Sequence, residues 1–397
     1  MNSPFEVKWG ILATGGIATA FTKDLLTNPA TREVSDIQHT IVAAASSSSQ
    51  ARASTFLQEI KAPASAKAYG SYAELVADPA VNIIYVATPH SHHFQNVMLA
   101  LSAGKHVLCE KAFTVNAAQT KKLIETAKER KLFLMEAVWT RYFPLSIKIR
   151  ELVTSGAVGK VHRVTADLSL ASAKEDGSLA FPDEHRMVNL DLAGGALLDL
   201  GIYSLTWVFQ ILYHCQPAGQ REKPKVLADL QKYERTGADE STTIILSFPK
   251  SKSVGVATTS LRVETCPDAQ GSPAAGPAAR IQGTKGEIQV IGPLYRPTHY
   301  RVITTGGVEG PVEDIACPIP TDPDRDGWGH GQFWEADEAG RCLRDGKLES
   351  EGLGLEESLV IMETMDEVRR QGGLVYPDLI ESSVYDEKSS LNTGGMK

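Results

Sequence analysis

The strongest constraint on this chain is its opening. A short apolar run, Val7 to Ala13, leads into the small-residue turn Thr14-Gly15-Gly16 and then into helical spacing from Ile17 to Leu26, ended by Asn28-Pro29. A strand, a glycine turn and a helix in that order begin a βαβ unit, with the helix N-terminus facing the crevice at the strand ends. The rhythm continues. Ile41 to Ala45, Ala66 to Tyr69, Ile83 to Ala87, His106 to Cys109 and Leu132 to Met135 read as strands. Ala51 to Ile60, Tyr72 to Ala77, His92 to Ser102 and Asn116 to Arg130 read as the helices between them, with Thr114 as the cap of the last. Such alternation predicts a mostly parallel sheet with helices on both faces.

The pattern changes after Phe143. A helix from Leu145 to Ser155 precedes a long strand-like run, Val161 to Leu170, and a polar connection, Ala171 to Arg186. Gly194-Gly195 opens a helix from Ala196 to Leu212. Val226 to Tyr233, Ser241 to Phe248, Val254 to Val263, Ala279 to Gln282, Glu287 to Ile291 and His299 to Thr304 read as strands, with Pro267 to Pro277 as a surface loop. Helices from Gly331 to Arg344 and from Glu356 to Gln371 follow. The expected fold is α/β plus α+β: an N-terminal Rossmann dinucleotide-binding domain over 1–143, and over 144–397 a domain with a large open, mostly antiparallel sheet.

Composition narrows the functional classes. The chain has 397 residues, enough for two cores, with 42% hydrophobic and 22% charged residues. The net charge of -8 and the lack of a long Lys/Arg run argue against a nucleic-acid partner. No apolar stretch has the length of a membrane span, and Met1 to Lys8 lacks the apolar core of a signal peptide, so a cytoplasmic location is expected. Five scattered cysteines, Cys109, Cys215, Cys266, Cys317 and Cys342, have neither metal-ligand spacing nor the density of a disulfide scaffold.

A dinucleotide fingerprint would place glycines at positions 13 and 15 and Gly or Ala at 18. Here these are Ala13, Gly15 and Ala18. Gly15 lets backbone approach a pyrophosphate, Gly16 adds freedom, and the helix opening at Ile17 offers its N–H groups. At the end of the second strand an NAD site often carries an acid that holds the ribose hydroxyls. This chain has Ser46, Ser47, Ser48 and Ser49, then Arg52. Hydroxyls and a guanidinium suit a 2′-phosphate, so NADP is the expected cofactor.

Further groups fall at the carboxyl ends of predicted strands, where ligands bind. Thr88, Pro89, His90 and His93 follow one strand, and packing around the nicotinamide end is expected of them in preference to a metal site. Glu110 and Lys111 follow the next, and a lysine there can bond a substrate hydroxyl and lower a neighbouring acid's pKa. Trp139 and Arg141 follow the last strand and offer an aromatic wall and a cation. In the helix after Gly194-Gly195, Asp199 and Tyr203 lie four residues apart and share a face, with Gly201 between them allowing close approach of another element. Tyr203 can exchange a proton with an alcohol oxygen.

Together these segments resemble the family of glucose-fructose oxidoreductase, inositol dehydrogenase and the rhizopine-catabolism oxidoreductases. Within it they are most similar to the branch of dimeric dihydrodiol dehydrogenase and fungal NADP-dependent D-xylose 1-dehydrogenase. The resemblance covers nearly the whole chain and is strongest over Tyr85 to Glu110, Glu136 to Pro144 and Asp191 to Tyr203. It implies that Lys111 stands for the lysine of the family's Glu-Lys-Pro motif, with Ala112 in the proline's place. It implies Tyr203 as general acid/base and Asp199 as the substrate-binding carboxylate. Thr88, Pro89, His90 and His93 would lie beside the nicotinamide, and Trp139 and Arg141 near the cofactor and substrate pocket. Homodimers formed through the open sheet follow from the branch. The expected reaction is oxidation of an aldopyranose, D-xylose first, at C1 to the aldonolactone, without a metal. The alternatives are a trans-dihydrodiol dehydrogenase, a dicarbonyl or deoxyosone reductase, and a non-catalytic NADP sensor.

Overall fold

Alternating apolar runs and amphipathic helices build the first unit of the computed structural model, which describes residues 3–268, 274–306, 312, 314–325 and 327–393. Six strands, β1 (Phe5–Leu12), β2 (Ile37–Ala45), β3 (Lys67–Tyr69), β4 (Ile83–Val86), β5 (His106–Glu110) and β6 (Leu134–Ala137), form a parallel sheet in the order β3-β2-β1-β4-β5-β6. That order reverses between β1 and β4, and such a switch point opens a crevice at the strands' carboxyl ends. The crossovers are α1 (Gly16–Leu25), α2 (Gln50–Glu59), α3 (Tyr72–Ala77), α4 (His90–Ser102) and α5 (Ala117–Arg130). β4 is buried at every residue, as expected of a central parallel strand.

Local chemistry sets several boundaries. The cap of α5 is Asn116, whose side chain accepts from the Gln119 N–H at 2.9 Å. The expected cap, Thr114, instead donates its hydroxyl to the Asn116 carbonyl at 2.7 Å. β2 begins at Ile37, earlier than its apolar run. His39 there is buried: Trp9 Nε1 donates to its Nδ1 at 3.1 Å and its Nε2 lies 2.9 Å from Asp337 Oδ1.

The second unit spans 140–318 and 360–377. It contains α6 (Pro144–Thr154), β7 (Val161–Asp167), a helix α7 (197–214), and strands β8 (Lys225–Lys232), β9 (Asp239–Phe248), β10 (Ser253–Ser260), β11 (Ala279–Gly283), β12 (Gly286–Ile291), β13 (His299–Thr304) and β14 (Ile315–Ala316). The sheet order is β14-β13-β12-β11-β7-β10-β9-β8, antiparallel except for the β7–β10 pair. α7 packs on β7 and β10. It lies so close that a Cβ on Gly255 would meet Val208 Cγ1 at 2.2 Å, and one on Gly201 would meet Thr259 Cγ2 at 3.2 Å. Of the Pro267 to Pro277 loop, residues 269–273 lie outside those described.

The compact units are not two consecutive stretches of chain. The first boundary falls at Trp139, and residues 319–359 and 378–397 return to the first unit. Helix α8 (Phe333–Arg344) packs against α1, β1 and β2. Its Asp337 takes a paired bond from Arg32, 2.8 Å from Nε and 2.9 Å from Nη2, with all three side chains of the Arg32–Asp337–His39 group buried. Burial keeps His39 below its ordinary pKa, so the imidazole is neutral and donates from Nε2. Helix α9 (Leu355–Gly372) begins in this unit, with Leu355 in its core, and ends in the second. The tail beyond Asp378 is bound by Asn96, Gln95 and Gln119, whose amides bond the backbone of Leu391, Val384 and Ile380. Pattern along the chain does not reveal such returns, because the bonds that make them join residues hundreds of positions apart.

Candidate active site

The first glycine turn has the geometry of an anion cradle. Gly15 is the N-cap of α1, no side chain caps that helix, and its first turn contains no acid. A Cβ placed on Gly15 or Gly16 would meet nothing within 4 Å, so the space before the helix is open. The N–H groups at this end and the helix dipole both favour a phosphate. Ala13, where the fingerprint has glycine, has φ +82, a region that suits glycine and strains a residue with a Cβ. The sequence departs from the fingerprint there, and the backbone does not.

The serine run is divided in its roles. Ser49 caps α2, its Oγ accepting from the Arg52 N–H at 3.2 Å. Ser46 is buried and its hydroxyl lies 2.9 Å from that of Ser48. Ser47 is half-buried between them. Arg52 is exposed, and its Nε donates to Thr14 Oγ1 at 3.4 Å, which sets a guanidinium beside the first glycine turn. Open space at the turn, a helix N-terminus without a cap and a cation at the end of β2 fit a dinucleotide carrying a 2′-phosphate.

Thr88, Pro89, His90 and His93 sit where β4 gives way to α4, and His90 is already the first helical residue. His93 bridges two loops: its Nε2 lies 2.9 Å from the Thr88 carbonyl and its Nδ1 2.9 Å from the Ala112 carbonyl. Burial pushes its pKa down to about 4, so at neutral pH the ring is uncharged and can donate to one carbonyl at a time. His90 Nε2 lies 3.1 Å from the Lys111 carbonyl. The Thr88 hydroxyl donates inward to Asn96 Oδ1 at 2.9 Å. These side chains therefore hold the strand-end loops in register.

Lys111 is half-buried on the turn after β5, where the Lys111–Ala112 peptide is cis. Glu110 beside it is buried. Its carboxylate accepts from the Tyr85 hydroxyl through Oε1 and from the Lys111 N–H through Oε2, the latter at 3.2 Å. Glu110 thus organises the turn from within. Cys109 on the same strand is buried, and burial with Glu110 and Glu136 raises its thiol pKa well above the ordinary value, so it is no nucleophile. Trp139 is buried at the end of this unit.

The remaining residues belong to the second unit. Arg141 is wholly buried, and its carbonyl accepts from Arg150 Nη1 at 3.0 Å. Asp199 and Tyr203 lie on α7, which is π-wound over Leu197–Gly201, α-helical over Ile202–Phe209 and π-wound again over Gln210–His214. Asp199 sits in the first π segment and Tyr203 just beyond it, at the junction of two windings. Such π segments concentrate at functional sites. Tyr203 is buried, its ring 6.1 Å from that of Tyr295. Asp199 Oδ1 accepts from Arg186 Nη1 at 3.0 Å, a pairing that spacing did not reveal because Arg186 lies in the polar connection.

One more residue escaped the sequence. Asp239 is buried and accepts the Leu197 N–H through Oδ2 at 2.6 Å, fixing the start of α7. Burial pushes its pKa up to about 6. Gly195, with φ +139, gives it room: a Cβ there would stand 1.9 Å from Asp239 Oδ1. A pair of glycines before a helix signals close backbone approach, but not what approaches.

A parallel sheet with its switch point beside an anion cradle, joined to an α+β unit with a tyrosine-bearing helix, defines a dinucleotide-dependent oxidoreductase. The pattern of the oxidoreductase family with an NAD-binding Rossmann fold matches residues 7–138, and that of the GFO/IDH/MocA C-terminal domain matches residues 146–289. The chain belongs to the GFO/IDH/MocA oxidoreductase family. It is 63% identical over 394 residues to a D-xylose 1-dehydrogenase (NADP(+)) of Hypocrea jecorina, covering 99% of each chain. It is 36% identical over 371 residues to the human trans-1,2-dihydrobenzene-1,2-diol dehydrogenase, covering 94% of this chain and 98% of the other. Among solved structures, the aldose-aldose oxidoreductase of Caulobacter crescentus shares the fold with a TM-score of 0.71 at 21% identity, over 93% of this chain and 98% of the other. A 3-ketoreductase of Actinomadura kijaniata shares it with a TM-score of 0.70 at 20% identity, over 92% of this chain and 98% of the other.

Proposed function

We propose that this chain oxidises an aldopyranose, D-xylose first, at C1 to the aldonolactone, with NADP as hydride acceptor. The observation that carries the reading is the 63% identity to an NADP-dependent D-xylose 1-dehydrogenase across 99% of both chains. The exposed Arg52 beside Thr14, and a serine run where an NAD site often has an acid, support NADP. The cofactor supplies the C4 position that accepts hydride from the sugar C1. Tyr203 Oη takes the proton of the C1 hydroxyl, with Lys111 Nζ donating to the same oxygen and stabilising its developing negative charge. Asp199 accepts from a further sugar hydroxyl and fixes the ring, while the N–H groups at Gly15, Gly16 and Ile17 bind the pyrophosphate. No helix among the described residues is long and apolar enough to cross a membrane, and cytoplasmic work on a small sugar is consistent with that.

A homodimer through the second sheet belongs to the same reading. On its outer face Leu227, Ile245 and Val254 are exposed, and Leu227 and Ile245 are partners in the β8–β9 ladder. A second copy laid on that face would bury them.

Initial rates of NADPH formation with D-xylose, D-glucose, L-arabinose and a cyclic trans-diol, each repeated with NAD, test the proposal. D-xylose with NADP should give the highest kcat/KM. A higher kcat/KM for the diol would transfer the assignment to the activity of the 36% identical relatives.

A further inference from the structure

A chain of buried hydrogen bonds joins the C-terminal tail to the mouth of the cofactor crevice. Thr88 stands at that mouth: β4 borders β1 at the switch point, and the N–H of Ala87 donates to the Leu12 carbonyl at 3.0 Å, with Thr88 directly after it. The Thr88 carbonyl faces His93 Nε2 at 2.9 Å, but that neutral ring has one N–H to divide between this carbonyl and that of Ala112. The Thr88 hydroxyl has a fixed partner, Asn96 Oδ1 at 2.9 Å. Asn96 has no solvent exposure, and its Nδ2 donates to the Leu391 carbonyl at 3.0 Å and to Asn392 Oδ1 at 2.9 Å. Asn392 is buried in turn, and its own Nδ2 donates to the Asp386 carbonyl at 3.1 Å. A carbonyl only accepts, so the Leu391 and Asp386 carbonyls dictate which way each amide faces. Every donor in the chain therefore points from Thr88 toward the tail.

We propose that Asn392 is a positioning residue for dinucleotide binding: through Asn96 it holds the Thr88 loop in the form that receives the cofactor. Without the Asn392 side chain, one Asn96 N–H loses its acceptor inside the protein. The amide is then free to turn, and a turned amide offers the Thr88 hydroxyl a donor in place of its acceptor. The loop leaves the receptive form for part of the time, and the apparent Kd rises by the inverse of the fraction that remains. Toward the end of β2 the tail leaves a cavity, lined by Asn392, Glu387, Ser47 and Gly70. The group that reads the 2′-phosphate lies on that side, so the hold on Thr88 acts on NADP and NAD alike. The effect on binding rests on the function proposed above; the hold of the tail on Thr88 does not.

Two measurements on the full chain separate the claims. The first is the Kd for NADP and for NAD by fluorescence titration, for wild type, Thr88→Val, Asn392→Ala and the double variant, with the thermal midpoint of each. Asn392→Ala should raise both Kd values by the same factor, about fivefold or more. In the Thr88→Val background, where the hydroxyl is already gone, it should add less than about twofold. An unchanged Kd with a lowered midpoint would make the tail merely structural and overturn the proposal. Losses that multiply fully in the double variant, or a loss confined to NADP, would overturn it too. The second measurement needs no cofactor: amide hydrogen exchange over residues 87–96. Faster exchange there in Asn392→Ala, with α1 unchanged, is expected; equal exchange in variant and wild type overturns the proposal. Should wild type bind neither nucleotide while that exchange difference is present, the proposed function fails and the hold of the tail on Thr88 stands.

Discussion

Arg52 Nε lies 3.4 Å from Thr14 Oγ1, so the cation at the head of α2 is tied to the turn that opens α1. This contact joins the two parts of the proposed cofactor site, the pyrophosphate cradle and the group that reads the 2′-position. Replacing Arg52 by Ala removes a charge-assisted partner of the 2′-phosphate. The Kd for NADP should rise about 10- to 100-fold, while that for NAD changes little. Fluorescence titration of both cofactors checks it, and equal weakening of the two would assign Arg52 a structural role.

Ala13 has φ +82, and only its Cβ resists that conformation. Ala13→Gly removes the strain but adds freedom to the unfolded chain, so the net effect should lie between neutral and about 1 kcal/mol of stabilisation. Ala13→Val, β-branched at the same φ, should cost about 2 kcal/mol or more and weaken NADP binding. Chemical denaturation with and without NADP measures both.

His93 gives a pH-dependent prediction. Its pKa is about 4 in the fold against 6.5 as the ordinary value, because burial disfavours the charged ring. Between those pH values the unfolded chain binds a proton that the native ring refuses, so stability rises with pH through the window. Asp24 and Asp239, each pushed up to about 6, act oppositely: they favour the fold below 3.8 and lose that effect as pH climbs past 6. The wild-type curve is therefore partly flattened. His93→Gln isolates one contribution: its destabilisation should be greatest at pH 7 and shrink by up to about 3 kcal/mol toward pH 4. A constant difference at both pH values would show that the ring titrates normally.

Gly195→Ala should be severe. The added Cβ would stand 1.9 Å from Asp239 Oδ1, in a backbone conformation with φ +139. Relief requires Asp239 to leave the Leu197 N–H, which frees the start of α7. A loss of about 3 kcal/mol or more, or failure to accumulate as folded protein, is expected from the thermal or denaturant midpoint. Gly104→Ala serves as a reference for strain alone, since φ is +76 there and a Cβ would meet nothing within 4 Å.

These residues also show what was legible in the sequence. The βαβ rhythm of the first unit was, because burial on both faces makes β4, and β5 from Val107 to Cys109, continuous apolar runs. The glycine-opened start of α1 was, because Gly15 and Gly16 do local backbone work at a helix start. The winding of α7 was not, since nothing in the residues from Leu197 to His214 breaks an α-helical pattern clearly enough to reveal π turns at both ends. The return of α8 was invisible because the Arg32–Asp337 and His39–Asp337 contacts are set by tertiary packing. Asn96 reads in the chain as one more polar residue of α4, and only its bonds to Leu391 and Asn392 show otherwise.

The central claim is most directly tested by Tyr203→Phe, through kcat/KM for NADPH formation from D-xylose measured beside wild type with the Kd for NADP as control. Wild type should oxidise D-xylose with NADP. The variant should bind NADP as wild type does and lose about 100-fold or more in kcat/KM, the usual scale of general-base catalysis. Full kcat/KM in the variant, or no NADPH from D-xylose in wild type, would contradict the account.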